Sequence, residues 1–346
     1  MSLHRPSSVG IVVNPWAGKD VRRLYAPVGH TPDTAKIGIV RRVIVGALES
    51  GAEVVYIAAD VGRIAERAGR GIPGAQLVDG PGTGSSLDTR RAAAQFCDLG
   101  CSVVVALGGD GTCRDVAIGW PDAVLIPIST GTNNVFPVFV DGSSAGTAAG
   151  LVACNLIDAE AVTRRSKLLV IEISSGEREI ALVDVAVIDG IATGARAVID
   201  PSSIRAVVAA IASPMSTGLS SIAGRIAPLG VHEEGGVIVR VGGVRRAVRV
   251  PIVPGKFDEL PIESIVSLAV GQSVSFDGPC VLAYDGERDR VVAPGTRVTI
   301  SIHRMGPLVV DVESTLHLAA DRHLFDASMA AAREDDSRTS EANHGD

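Results

Sequence analysis

The chain has 346 residues, of which 46% are hydrophobic and only 3% aromatic, and its formal net charge is −7. This length suits about two globular domains, and their cores must be filled mainly by aliphatic side chains. The acidic balance argues against a nucleic-acid surface, which needs clustered lysines and arginines.

No apolar run approaches the ~20 residues that a membrane helix requires, and the N-terminal residues show no secretory cleavage pattern. Five cysteines without metal-ligand spacing predict free thiols in a reducing compartment. We therefore expect a cytoplasmic protein that contacts neither nucleic acid nor a membrane.

The first half of the chain alternates between strand-like and helix-like segments. This alternation predicts a Rossmann-like parallel sheet covered by helices, with ligands bound outside the carboxyl ends of the strands. Strands are predicted at 9–13, 54–58, 103–107 and 124–128, and helices at 36–48, 87–99, 144–154 and from Arg114 onward.

The most distinctive loop is Gly108-Gly109-Asp110-Gly111-Thr112, which lies between a buried apolar strand and a helix. Glycines allow the backbone to turn and approach a ligand, and free amides at a helix N-terminus favour phosphate. A carboxylate in that position suits a base, or a ligand for the magnesium that accompanies nucleotide phosphates. An ordinary glycine-rich turn is the alternative for this motif taken alone.

Polar loops follow other strands as well. Residues 14–19 end in Lys19, which suits a phosphate or is a solvated cation, and residues 129–134 form a small polar loop. The loop at 80–86 is glycine-rich and is interpreted as a flexible connector, with phosphate contact as its alternative.

The second half predicts an antiparallel β-sandwich, because short β-rich segments are separated by turn signals. We expect a helical insertion at 202–212, a final helix at 312–329 that returns to the first domain, and a disordered polar tail. The predicted units are an α/β nucleotide-binding domain at 1–158, a β-sandwich domain at 159–310, the C-terminal helix at 311–332 and the tail at 333–346.

Several blocks of sequence, in order, resemble the superfamily of NAD kinases, diacylglycerol kinases and sphingosine kinases. Within it the chain is most similar to the NAD-kinase-like group that includes acetoin-catabolism protein X. The blocks lie at 14–23, 40–43, 108–112, 126–137, 181–185, 216–221 and 283–287.

The resemblance implies an α/β domain followed by a β-sandwich, with the chemistry in the crevice between them. It also implies phosphoryl transfer from ATP or another nucleoside triphosphate to a hydroxyl with Mg²⁺ or another divalent cation, and assembly as a homodimer or homotetramer. In NAD kinases the acceptor is the 2′-hydroxyl of the adenosine ribose.

Under this resemblance Asp110 is the catalytic residue, because its carboxylate can accept the proton of the attacking hydroxyl. Asp285 and Glu287 are further candidates, with a hairpin turn as the alternative for Asp285-Gly286. No metal ligand is assigned. The predicted nucleotide-binding residues are Asn14, Lys19, Gly108, Gly109, Gly111, Thr112, Arg114, Thr130, Thr132, Asn133, Asn134, Asp184, Ser216, Thr217, Gly218 and Ser220.

The chain departs from NAD kinases at Val183, where they carry asparagine, and in the shorter match of its 216–221 loop. Three functions follow as hypotheses. The first is an ATP-dependent NAD kinase, the second a lipid kinase of the same fold, and the third a nucleotide-binding regulator that has lost turnover. The acidic charge and the lack of a basic amphipathic helix count against the lipid kinase.

Overall fold

The computed structural model of the chain describes residues 6–18, 31–80, 82–131, 134–190, 201–253, 255–286 and 288–326. Four predicted site residues and the predicted tail lie outside these described residues. They are Lys19, Thr132, Asn133, Glu287 and 333–346.

The first half contains all four strands and all four helices that the sequence predicts there. It adds α2, β3 and α6, which are only four to six residues long and too short for a periodic pattern to stand out. In chain order the elements are β1 (Ser8–Val13), α1 (Asp33–Glu49), β2 (Val54–Ala58), α2 (Ile64–Gly69), β3 (Ala75–Val78), α3 (Ser86–Asp98), β4 (Val103–Gly108), α4 (Asp110–Gly119), β5 (Val124–Ser129), α5 (Gly142–Ala153) and α6 (Ala159–Val162).

Strands β1 to β5 pair in parallel, and two later strands, β6 (Thr163–Arg165) and β17 (Leu308–Val310), complete a seven-stranded sheet. The strand order is β3-β2-β1-β4-β5-β17-β6. The order reverses between β1 and β4, so a crevice opens beyond their carboxyl ends.

Both faces of this sheet are covered, which explains why its central strands are continuous apolar runs. In β4, Val103 and Val105 pack on the side of α1 and α5, whereas Val104 and Ala106 pack on the side of α3 and α4. The second side also receives Leu168 and other residues from the later part of the chain, so α4 lies between the two halves.

The second half forms the predicted sandwich of two antiparallel sheets. Their orders are β12-β11-β10-β9-β14-β15 and β13-β16-β7-β8, and Ile171, Val208 and Leu282 belong to the core between them. The elements are β7 (Leu168–Ile173), β8 (Arg178–Ala181), β9 (Asp184–Ile188), β10 (Ile204–Ala209), α7 (Ser220–Ile226), β11 (Gly236–Val253), β12 (Lys256–Leu268), β13 (Ser273–Asp277), β14 (Cys280–Tyr284), β15 (Arg288–Val292), β16 (Arg297–His303) and α8 (Val312–Asp321).

The predicted helical insertion at 202–212 is wrong. Residues 204–209 form β10, which pairs with β9 and β11 in the middle of the six-stranded sheet. Val208 faces the sandwich core and Val207 faces a second core beneath α7, so both faces are buried. A short apolar run of this kind has no polar alternation, and periodicity cannot distinguish it from a buried helix.

Helix α8 returns to the first domain, as predicted, and packs against α5 and α6. Ala319 is buried in the first-domain core, with Leu316 and Leu318 beside it. The helix is shorter than the predicted 312–329, because it ends at Asp321 and His323 follows with a left-handed φ of 55°. The domain limits stay a prediction, and β6 and β17 show that the first sheet draws strands from beyond residue 158.

The five cysteines are free, and Cys101, Cys113 and Cys280 are buried. Among the helices of the described ranges, none combines the length and the apolar character needed to cross a bilayer.

Candidate functional site

A cleft of about 600 Å³ lies where the sequence predicts a ligand, beyond the carboxyl ends of β1 and β4. The first domain supplies the Asn14-Pro15-Trp16 turn and the start of α4 at Gly111 and Thr112, and the sandwich closes the cleft with Tyr284 and Asp285. The site is therefore shared by both domains.

Asp110 is the first residue of α4 and is 6% exposed. Its Oδ1 accepts hydrogen bonds from the amides of Phe136 at 2.8 Å and Val135 at 3.0 Å, and its Oδ2 lies 3.2 Å from the Val135 amide. Burial, and then the nearby Asp285 carboxylate, raise the pKa of Asp110 well above its usual range, which the two amides only partly offset. Asp110 does not itself line the cleft, but its neighbours Gly111 and Thr112 do.

Packing, and not turn conformation, explains two of the three glycines of the motif, Gly108 and Gly109. None of Gly108, Gly109 and Gly111 has a positive φ, in contrast to the expected tight turn. A Cβ on Gly108 would overlap the Thr112 side chain, and one on Gly109 would lie 2.8 Å from Asn134 Oδ1. At Gly111 a Cβ would meet nothing within 4 Å, so this position leaves open space beside the cleft.

The loops after β1 and β4 are joined directly. Asn14 Nδ2 donates to Thr112 Oγ1 at 2.9 Å, and the Asn14 amide donates to the Leu107 carbonyl at 2.9 Å. These bonds bring together two predicted site residues that are 98 positions apart in the chain. The Asn14 side chain is thereby fixed before any ligand binds.

Lys36 is a site residue that the sequence analysis missed. It is fully buried in α1, and its Nζ donates to the carbonyls of Pro15 at 2.8 Å and Asn14 at 3.3 Å. The burial of Lys36 could have been recognised from the sequence, because Lys36 lies on the same apolar face of the helix as Val40, Val43 and Ala47. A lysine at a core position requires polar partners, and the carbonyls of the cleft turn supply them.

We expect Lys36→Met to lower the free energy of unfolding by roughly 2–4 kcal/mol, because the carbonyls of Asn14 and Pro15 lose a charged donor. Urea unfolding measures this, and Lys256→Met, at a largely exposed lysine, is the matched control. A loss no larger than that of the control would mean that Lys36 does not hold the turn.

Asp285 lies at the predicted hairpin turn, between β14 and β15, with a left-handed φ of 50°. Its carboxylate is buried and accepts the amides of Leu182 and Val183 at 2.9–3.1 Å. Residues 182 and 183 are where the chain crosses from one sheet of the sandwich to the other. Burial raises the pKa of Asp285, and Arg114 is the main opposing influence.

Asp184 follows this crossing and is 1% exposed. Neither of its carboxylate oxygens has a hydrogen-bond partner among the described residues. Burial raises the pKa of Asp184 to about 7, the Ser220 hydroxyl opposes the rise without meeting hydrogen-bond geometry, and Asp285 adds to it. A buried carboxyl without donors is suited to a ligand that brings a hydroxyl or an amine.

Asp184→Asn tests this burial through the pH dependence of stability. An unperturbed aspartate titrates near ~3.9, so between pH ~4 and ~7 the folded protein binds more protons than the unfolded chain, and stability falls as pH rises. Asparagine cannot ionise, so the variant should gain stability relative to the parent as pH rises, by on the order of a few kcal/mol at pH 8.

Urea unfolding at pH 4, 6 and 8 provides the comparison, with exposed Asp98→Asn as control. A difference between variant and parent that stays constant with pH would contradict the raised pKa.

Arg114 lies beside two buried acids, Asp115 and Asp285. It is fully buried, its Nη2 lies 3.7 Å from Asp115 Oδ1, and its guanidinium stacks 4.9 Å from the centroid of the Tyr284 ring. None of its three side-chain nitrogens makes a hydrogen bond within the described part of the chain. Arg114 therefore balances the buried carboxylates and does not line the cleft.

Other predicted site residues lie farther from the cleft. Thr130 is 2% exposed and its amide donates to the Gly108 carbonyl, whereas Asn134 Nδ2 donates to Ser129 Oγ at 2.8 Å. In the 216–221 loop, Ser216 Oγ donates to the Ser213 carbonyl, and Gly218 has a left-handed φ of 80°. None of Ser216, Thr217, Gly218 and Ser220 lines the cleft, and their role as nucleotide ligands stays a prediction.

The cleft is acidic. Asp60, Asp88, Asp115 and Asp285 line it, and no lysine or arginine does so among the residues that the structure describes. The carboxylates of Asp60 and Asp88 accept hydrogen bonds from nearby backbone amides. Asp115 Oδ1 forms an ion pair with Arg90 Nε at 3.0 Å. Of these four acids only Asp285 was predicted from the sequence, because nothing local distinguishes Asp60, Asp88 and Asp115 from helix caps.

Two family models together match most of the chain. The model for the N-terminal domain of ATP-NAD kinase matches residues 9–167, and the model for the C-terminal domain of acetoin catabolism protein X matches residues 167–305. The boundary between them falls at Lys167, where the sandwich begins. The first match supports a kinase-type phosphotransferase.

Among solved structures, yeast NADH kinase complexed with NADH is similar at 13% identity and a TM-score of 0.48, with 94% of this chain and 89% of that chain covered. A diacylglycerol kinase from Bacillus anthracis is similar at 13% identity and a TM-score of 0.42, covering 89% and 97%.

Among curated proteins, acetoin catabolism protein X of Cupriavidus necator is 31% identical over 335 residues. The match covers 92% of this chain and 93% of that protein, so the two are similar over nearly their whole lengths. The chain belongs to the acetoin catabolism protein X family.

Proposed function

We propose that this protein is an ATP-dependent kinase that phosphorylates the 2′-hydroxyl of the adenosine ribose of NAD, which yields NADP. The observation that carries the proposal is Asp110, a buried carboxylate at the amino end of α4, beside a cleft that two domains share. The match of residues 9–167 to the ATP-NAD kinase domain supports the same reaction class.

Phosphoryl transfer depends more on the alignment of the two reactants than on covalent catalysis by the protein. The ribose oxygen forms a bond to the terminal phosphorus of ATP, the bond from that phosphorus to the bridging oxygen breaks, and ADP leaves. Asp110 accepts the proton of the attacking hydroxyl. Its pKa is raised by burial, and a carboxylate with a raised pKa is a stronger base once it is ionised.

The neighbouring groups position the reactants. Thr112, held by Asn14, and the open backbone at Gly111 suit a phosphate at the start of α4. Asp184, whose oxygens lack donors among the described residues, suits a ribose hydroxyl or an amide of the acceptor.

A divalent cation fits this site as a companion of the nucleotide. Mg²⁺ in kinases is held by one or two carboxylates together with substrate phosphates, and Asp115 and Asp285 line the cleft. Within the described ranges no group of three or more metal-ligating side chains occurs. The phosphates of the nucleotide would therefore supply most of the ligands of the ion. When bound, it would neutralise phosphate charge in an otherwise acidic cleft.

The test uses the purified full chain with Mg²⁺, ATP or polyphosphate as donor, and NAD, NADH or diacylglycerol in vesicles as acceptor. We expect formation of NADP, measured with an NADP-specific dehydrogenase. The proposal is overturned if no donor yields NADP from NAD, and lipid phosphorylation in its place would establish the lipid kinase.

A second candidate is a nucleotide-binding regulator without turnover. Val183, which stands where NAD kinases carry asparagine, and the lack of described cations along the cleft favour it. Calorimetry that detects ATP or NAD binding, in a preparation that forms no NADP, would support this candidate over the kinase.

We also propose that the protein is a cytoplasmic homodimer or homotetramer. The free cysteines suit a reducing compartment. Edge strand β12 exposes Phe257 and Val266, which are 51% accessible each, and an apolar edge of this kind favours association. Light scattering coupled to gel filtration gives the oligomeric state.

A further inference from the structure

A second cavity, of about 560 Å³, lies on the opposite side of the segment that holds Asp110. It is open to solvent on one side and is lined by residues of β5, β6, β17, the start of α8 and 135–140, most of which are aliphatic or aromatic. This volume is typical of small-molecule pockets, which range over roughly 300–1,000 Å³. Of the predicted nucleotide-binding residues that the structure describes, none lines it.

The cavity shares a wall with the catalytic site. Val135 and Phe136 line the cavity, while their amides donate to the Asp110 carboxylate on the other side. The same segment is anchored further along, where the Ser129 amide donates to the Val138 carbonyl at 2.8 Å and the Val138 amide donates to the Pro127 carbonyl. A molecule packed in the cavity would press on the residues that hold Asp110.

The polar side chains that line the cavity differ in whether they already have a hydrogen-bond or ion-pair partner. Asp311 accepts hydrogen bonds from the Ser314 amide and hydroxyl, and Glu313 lies 3.9 Å from His317. Arg164, by contrast, lines the cavity and has no ion pair or hydrogen bond from its guanidinium among the described residues.

A buried hydroxyl also lacks a partner here. Ser166 lines the cavity, is 2% exposed, and its Oγ makes no hydrogen bond with any described group. The Ser166 hydroxyl packs against Gly306, so Arg164 is the group that a ligand can reach. A cation without a described partner beside an apolar cavity is complementary to an anionic group on an apolar body.

We propose that this cavity binds a small molecule with an apolar body and a single carboxylate, and that its occupancy is coupled to the segment that holds Asp110. The carboxylate pairs with Arg164 and the apolar body packs against Val138, Phe139 and Leu316. Ligand binding orders the 134–140 segment and so stabilises the position of Asp110.

The test compares octanoate with octanamide, which has the same body without the charge, by calorimetry on the full chain. We expect octanoate to bind at least roughly tenfold more tightly, because the carboxylate gains a charge-assisted pair. Arg164→Gln should reduce octanoate binding to the octanamide level, whereas Arg91→Gln, at an exposed arginine of α3, should not. Equal affinities, a preference that survives Arg164→Gln, or binding of neither compound would overturn the proposal.

Hydrogen exchange tests the coupling without reference to any enzymatic activity. Octanoate should slow exchange of the Val135 and Phe136 amides in the parent and not in Arg164→Gln. Octanoate binding that leaves these amides unchanged would overturn the coupling.

Discussion

Replacing Asp110 with asparagine is expected to lower the rate of NADP formation by roughly 10²- to 10⁴-fold, the range that general-base catalysis contributes. The substitution changes the chemistry and little of the packing. The Val135 and Phe136 amides both donate to Oδ1, at 3.0 and 2.8 Å, and the amide oxygen of asparagine can accept both. The measurement is kcat with saturating ATP and NAD, together with the thermal midpoint of unfolding.

The matched control is Asp98→Asn, at an exposed aspartate on α3. It should keep the parental rate. If the Asp110→Asn protein folds and its rate stays within about threefold of the parental rate, Asp110 is not the catalytic base. Loss of a general base lowers the rate by far more than this. ATP binding retained in this variant would show that Asp110 acts on the acceptor and not on the donor.

Gly108→Ala and Gly111→Ala should have opposite effects on stability, although the two positions lie in one motif. A methyl at 108 overlaps the Thr112 side chain at the end of β4, and overpacking of this kind costs roughly 1–3 kcal/mol. A methyl at 111 meets nothing within 4 Å and lies in helix α4, where alanine is favoured over glycine by about 0.5–1 kcal/mol.

Urea unfolding of the two variants provides the comparison, and each serves as the control for the other. Gly111→Ala should also raise the KM for ATP, because its methyl group projects into the space beside the cleft. A Gly111→Ala protein that is both more stable and fully active would show that no ligand approaches the backbone there. Equal stabilities of the two variants would contradict the packing at Gly108.

The fold class could be predicted from the sequence because its signals are local. The run 103–107 is apolar throughout and is followed by glycines, which indicates a strand buried on both faces, and β4 has that environment. The same kind of local pattern led to a wrong prediction of a helix at 202–212. Residues 206–209 are buried on both faces in a central antiparallel strand, and the pattern resembles that of a buried helix.

The candidate site was predictable only in part. Polar loops at the ends of β1 and β4 were recognised from position alone, and the Asn14–Thr112 hydrogen bond joins them. The partners of Asp110 could not be recognised, because the Val135 and Phe136 amides carry no side-chain signature. Lys36 was overlooked because a lone lysine in a helix is usually solvated.

Residue order alone was sufficient for the alternation of strands and helices, for the glycine motif and for the β-rich second half. Each of these depends on neighbours within a few positions. The burial of Asp184 and Asp285, the acidic cleft and the wall shared between the two cavities were decided by the packing of the two domains. They depend on contacts between residues about a hundred positions apart, whose geometry exists only after the sheets have assembled.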